Sequence, residues 1–256
     1  MRQLVTFTKK EFMELNRTNK LLILGIVFLL FGIMNPGIAK LTPWLMETMA
    51  SELESSGLFV KEVTVTALDS WMQFFKNIPM AIIVFILMFS GILTNEYQKG
   101  TLINIVTKGL SRWKIIISKL IVMLVAWTLG YWMCFGVTYV YNEYYWENSI
   151  ASNLGFSVLM VYILGVWFIT MITLLSGVFN SNTSVAIVTA VVFGVMYVLS
   201  MLTDLKKYLP VKLMDSSAMI YGEGKPEDFM IAIVVTCAWC VINVVAGIVA
   251  FNKKNL

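Results

Sequence analysis

Leu154-Gly-Phe-Ser-Val-Leu-Met-Val-Tyr-Ile-Leu-Gly-Val-Trp-Phe-Ile-Thr-Met-Ile-Thr-Leu-Leu-Ser-Gly-Val-Phe179 runs for 26 residues without one Asp, Glu, Lys or Arg. A helix needs about 20 such residues to cross the hydrocarbon of a bilayer. The stretch is apolar all round rather than on one face, so each side of it meets lipid or protein. It reads as a membrane span.

Working outward from it, five further apolar runs read the same way. They cover about 21–39, 78–94, 116–141, 185–202 and 229–251. The first is interrupted by Asn35-Pro36, and the second has Pro79 in its first turn, where proline is tolerated. The first also lacks a small-x-small cleavage site, which reads as a retained span rather than a leader. Composition agrees: 59% of the 256 residues are hydrophobic and 13% are charged, against about a quarter charged in soluble domains. The expected fold class is therefore an all-α membrane protein with six transmembrane helices. This excludes a cytosolic enzyme, a secreted disulfide scaffold and a disordered tail. The chain has no histidine, which removes Ser-His dyads, HExxH zinc sites and imidazole proton shuttles. Cys134, Cys237 and Cys240 lie within apolar runs and read as small packing hydrophobes.

Charge sets the expected orientation. With the N-terminus inside and six spans, the inside segments carry 12 bases and three acids, and the outside segments seven bases and 12 acids. Lys and Arg excess marks the cytoplasmic side, so both termini are expected there. The net charge of +4 reflects this topology and implies no nucleic-acid partner. The outside segments 40–77 and 203–228 are long, while 142–153 and the inside turn 179–184 are short.

Two stretches on the inside carry the functional signal. Residues 1–20 put Leu4, Val5, Phe7, Phe12 and Leu15 within one broad arc and Arg2, Lys9 and Lys10 opposite, with Thr8 and Glu11 blurring the stripe. This reads as an amphipathic helix lying in the cytoplasmic interface. Residues 95–108 read as a short helix, with Asn95 as cap and Glu96 in the first turn, Leu102, Ile103, Ile105 and Val106 as an apolar side, and Gly109 as its end. An apolar side facing the cytosol needs a partner to cover it.

Asn-Glu-Tyr-Gln-Lys-Gly-Thr-Leu (95–102), then Leu-Ser-Arg (110–112) and Lys119, resembles the signature of the type-2 family of ABC exporter permeases. The interfacial helix, span count, long outside segments and length match as well. The family often has Pro where Gly109 or Leu110 stands and Gly where Ser118 stands. The resemblance implies a permease subunit paired with a second permease chain, as homo- or heterodimer, and with two cytosolic ABC ATPase subunits. ATP and magnesium would be bound by those ATPases and no cofactor by this chain, which contains no Walker-type G-x-x-x-x-G-K-[ST]. Residues 95–108 would be the coupling helix. In it, Glu96, Gly100, Thr101, Leu102, Ile103 and Val106, with Arg112 beyond, would form the ATPase-coupling site. The same resemblance puts peptide exporters of the phenol-soluble modulin or bacteriocin-immunity kind foremost, in a bacterial plasma membrane.

No Asp, Glu, Lys or Arg stands deep within the expected spans. Ion-coupled carriers and pumps use such groups, so an energy source outside the membrane is expected, with an amphipathic or hydrophobic cargo. Asn35, Thr128, Tyr131, Thr138, Thr170, Thr173, Ser176, Thr189, Ser200 and Asn243 are polar span residues that either line a path or bond neighbouring helices. The alternative class is a non-transporting scaffold or sensor subunit that binds through its outside segments.

Overall fold

The computed structural model describes residues 2–55 and 64–254. Its elements are α1 (Arg2–Arg17), α2 (Lys20–Ser55), α3 (Ala67–Phe89), α4 (Thr94–Gln98), α5 (Thr101–Thr107), α6 (Arg112–Tyr145), α7 (Leu154–Val178), α8 (Asn182–Leu199), α9 (Thr203–Lys206) and α10 (Met230–Lys253). No strand occurs among the described residues. Among the described residues, six helices (α2, α3, α6, α7, α8 and α10) are long and apolar enough to span a bilayer. The protein is an all-helical, multi-pass membrane protein.

α7 is the most enclosed span, and α8 is the least covered. α7 packs along α10, and α2 packs along both α3 and α6. An aromatic cluster of Phe28, Phe85, Trp127 and Tyr131 fills the centre, with ring centroids 5.3–5.6 Å apart and mostly edge-on. Such edge-on pairing is the arrangement that ring quadrupoles favour.

Two element boundaries differ from the sequence expectation. α2 is not interrupted at Asn35-Pro36 and does not end near Ala39, but continues to Ser55 with Pro36 and Pro43 inside it. Proline at 36 has no N–H to give the Gly32 carbonyl. The Thr138 hydroxyl of α6 supplies it instead, donating to that carbonyl at 3.1 Å. The helix therefore survives because a neighbour re-satisfies the freed group, as bilayers require. α3 begins at Ala67, so Pro79 stands in its interior rather than its first turn. Its start is fixed by Thr66 and Asp69 in a capping box. The segment 203–228, expected outside, folds for much of its length. Pro210–Tyr221 forms a 3₁₀ run that buries Val211, Leu213, Met219 and Ile220. Ser157 of α7 donates to the Ser216 carbonyl at 2.7 Å and holds this run on the bundle. Residues 56–63 lie outside the described residues.

Most polar span residues bond within the bundle. Asn35, fully buried, donates to Thr138 Oγ1 at 2.9 Å and accepts from Asn77 Nδ2 at 2.8 Å, tying α2, α6 and α3 together. Thr128 meets Tyr162 at 2.8 Å, the Tyr131 hydroxyl donates to the Val158 carbonyl at 2.6 Å, and Asn243 donates to Thr170 at 3.3 Å. Thr173 and Thr189 bond their own helices. Buried Ser176 finds no protein partner. Interhelical bonds in membranes average about 0.6 kcal/mol, reaching about 1.7. Asn35→Leu breaks two of them and strands Asn77, so it is expected to cost about 1–2 kcal/mol. A thermal midpoint unchanged from wild type in the same detergent would contradict the network.

Candidate functional site

The site lies at the end of the bundle where both termini gather. The chain leaves α3 through a turn at 90–93, makes α4 and α5, and enters α6 at Arg112. The expected single helix over 95–108 is two. Gly100 sits between them at φ 66°, in the left-handed region that only glycine adopts freely. Gly109, at φ 86°, ends α5 as expected. Asn95 is not the cap: it lies inside α4, whose preceding residue is Leu93.

Beneath this hinge lies a cluster of five charged side chains from three elements. The Lys119 ammonium of α6 is 2.8 Å from Glu11 Oε2 of α1 and 2.9 Å from Glu96 Oε2 of α4. Lys10 of α1 lies 3.0 Å from Glu11, 2.6 Å from Glu14 and 2.8 Å from Glu96. Lys119, Glu11 and Glu96 are 2%, 4% and 8% exposed. Charges so deeply buried persist only when paired. Burial by itself would lower the Lys10 pKa, but the hydrogen bonds that it donates to Glu14 and Glu96 outweigh this and hold it above the ordinary lysine value. The carboxylates of Glu11, Glu14 and Glu96 come within 4.8 Å of one another. Lys10, between them, provides the positive charge that such a trio needs, and no metal has to be invoked.

Glu11 is the residue that the sequence reading misjudged. α1 buries Phe7, Glu11 and Leu15, one stripe at four-residue spacing. Glu11 does not blur this face but belongs to it, because Lys119 receives it. α1 is also held by Thr8 to Ser118 at 3.1 Å and by Lys114 to Gln3 at 2.7 Å. Val5 and Met13 remain exposed, so the helix keeps an apolar edge outward while it leans on α6.

The residues of the expected coupling site divide into two groups. Glu96 faces inward into the charge cluster. Leu102 is 1% exposed and packs into the core, with Val106 half-buried beside it. Arg112 reaches across to α10, and its Nη1 donates to the carbonyls of Phe251, Asn252 and Lys254 at 3.1, 3.0 and 2.6 Å. Lys254 in turn donates to the Phe179 carbonyl at 2.6 Å and lies 4.6 Å from the Tyr97 ring. These residues fix the hinge to α1, α6, α7 and α10. The second group faces outward: Thr101, Ile103, Asn104, Thr107 and Lys108, with Ile103 46% exposed. Thr101 also donates back to the Glu96 carbonyl at 3.2 Å across the Gly100 turn. Beside them a groove of about 540 Å³ runs between α1 and α5, floored by Phe7, Ile105 and Leu110 and edged by Arg2, Lys10 and Lys108.

Against known proteins, the chain is 23% identical over 232 residues to an uncharacterized transmembrane protein of Bacillus subtilis, YxlG, covering 90% of this chain and 89% of that one. The sequence profile of the ABC-2 family transporter proteins matches residues 5–256, which takes in most of α1, the α4–α5 hinge, the charge cluster and the six helices long enough to span. The chain belongs to the ABC-2 family of transporter proteins, whose members are membrane components of transport rather than catalysts.

Proposed function

We propose that this chain is the permease subunit of an ATP-driven exporter, with its termini and the α4–α5 hinge in the cytoplasm. Two ATPase subunits dock under the hinge, and a second permease, identical or related, completes the complex. ATP and magnesium stay on the ATPases. The cargo is amphipathic or hydrophobic, with peptide favoured, since the membrane interior offers few polar groups that are not already bonded.

The observation that carries this reading is the division of the hinge into an anchored and an open side. Ile103, Asn104, Thr107 and Lys108 present a surface, and Glu96, Leu102 and Arg112 lock it to α1, α6 and α10. A push on the open side is therefore delivered to three other helices at once, as a rigid element transmits it. The basic rim of the α1–α5 groove (Arg2, Lys10, Lys108) suits an acidic edge on the ATPase.

This division selects the variant for the test. Leu102→Asp and Glu96→Ala would disturb the anchor and the docking surface together, because both residues are buried. Ile103→Asp changes the open side alone. We expect purified wild-type chain to retain a stoichiometric cytosolic ATPase in mild detergent. Ile103→Asp should lower the retained ATPase about tenfold, a loss of about 1.4 kcal/mol, with no change in thermal midpoint. A wild-type chain that purifies without any nucleotide-binding partner would instead favour a scaffold or sensor role. Amphipathic peptides that leave ATP turnover of the complex unchanged would remove them as cargo.

A further inference from the structure

A cavity of about 340 Å³ opens between α3, α7, α8 and the 3₁₀ run 210–221, at a distance from the charge cluster. Its α3 wall runs from Met72 to Ile86, about 21 Å at 1.5 Å per residue, so it is longer than it is wide. Along the wall stand Phe75, Pro79, Ile82 and Ile83, faced by Leu164, Phe168 and Phe193. Only two lining residues carry polar side chains, Lys76 and Ser217. Both belong to its outer part: Lys76 lies within three turns of the α3 start, and Ser217 is in the 3₁₀ run. Lys76 makes no ion pair or hydrogen bond among the described residues, and it is exposed.

The arrangement has a polarity. One cation and one hydroxyl stand at the end near the membrane surface, and a dry slot runs inward from them. Ammonium groups near span ends rise to the interface, which puts Lys76 at the depth of an anionic headgroup. The volume falls at the small end of ligand pockets, about 300–1,000 Å³, and suits one chain rather than two. α3 and α8 touch sparsely, and α8 is the least covered span, so an apolar chain can enter sideways from the bilayer. From these features we propose that the cavity binds a single-chain amphiphile with an anionic head, its head at Lys76 and Ser217 and its chain along α3. This site does not depend on the transport reading, because it can be measured on the isolated chain.

The test uses full-length chain in phosphatidylcholine nanodiscs with cis-parinaric acid as probe, followed by energy transfer from tryptophan. Wild type should bind saturably, one probe per chain. Charge-assisted hydrogen bonds are the stronger ones, so Lys76→Glu should weaken binding about tenfold or more, and Lys76→Arg should retain it. Ala190→Phe, at an exposed lining position, should narrow the mouth and also weaken binding. Equal affinity of Lys76→Glu and wild type, or equal affinity for uncharged dodecanol, overturns the proposal. Adding lysophosphatidylglycerol, a membrane lipid with one chain and an anionic head, separates the two sources. Displacement of the probe identifies a bilayer lipid as occupant, and persistence identifies a free amphiphile; either supports the site.

Discussion

Replacing Lys119 with methionine is expected to cost about 3–5 kcal/mol, because it removes the fully buried cation and leaves Glu11 and Glu96 to share only the partly exposed Lys10. Methionine keeps most of the volume of the side chain, so the loss is electrostatic and not a cavity effect. Lys10 cannot make good the loss: it already pairs with Glu11, Glu14 and Glu96, so one cation at the exposed edge would face three carboxylates. The measurement is the unfolding midpoint in mixed micelles. The decisive comparison is a triple variant in which Glu11→Gln and Glu96→Gln accompany Lys119→Met. Removing the stranded charges should restore most of the loss, since a neutral buried set often matches a paired one. A single variant that costs less than about 1 kcal/mol, the range of exposed pairs, would mean that water reaches the cluster and that Lys119 is not the buried bond between α1, α4 and α6.

Gly177→Val is expected to be nearly as damaging, for a different reason. α7 and α10 cross with Gly177 against Gly247. A Cβ at 177 would lie 2.7 Å from the Gly247 carbonyl oxygen, and one at 247 would lie 3.1 Å from the Leu174 Cα. Both obstacles are backbone, so only a shift of a whole helix can make room. Lipid is as apolar as leucine, and helices in it associate through close backbone approach and interhelical bonds rather than hydrophobic burial. Overpacking typically costs about 1–3 kcal/mol, and valine should reach the upper end or beyond, with alanine at the lower end. The readout is the monodisperse fraction on size exclusion together with the thermal midpoint. Gly194→Ala serves as control, since a Cβ there meets nothing within 4 Å. A Gly177→Val chain as stable as that control would show that α7 and α10 do not approach this closely.

Which parts of this were readable from residues alone depends on where the physics is local. The six spans were, because hydrocarbon imposes length and apolarity on each segment separately. The α4–α5 region was placed, but not its break, although Gly100 was the visible cue for one. The continuation of α2 was not readable. Pro36 signals an interruption, and what cancels it is Thr138, about a hundred positions away. The orientation of Glu96, Leu102 and Arg112 was hidden for the same reason: their partners belong to α1, α6 and the end of α10. Glu11 was the exception that offered a clue. A carboxylate set four residues from both Phe7 and Leu15 on an apolar stripe requires a buried cation, and Lys119, just inside the third apolar run, was the candidate.

The bond between Glu11 and Lys119 also imposes an order on biosynthesis. The two residues are 108 positions apart, which a ribosome covers in about 5–20 s at 5–20 residues per second. Throughout that interval α1 exists with only Lys10, its own partly exposed cation, beside Glu11, and it must wait in water or among headgroups while α2 and α3 are inserted. Only when α6 enters the bilayer can the N-terminal helix settle into place. A nascent chain halted before Lys119 should therefore keep α1 open to protease, and one halted beyond the end of α6 should protect it.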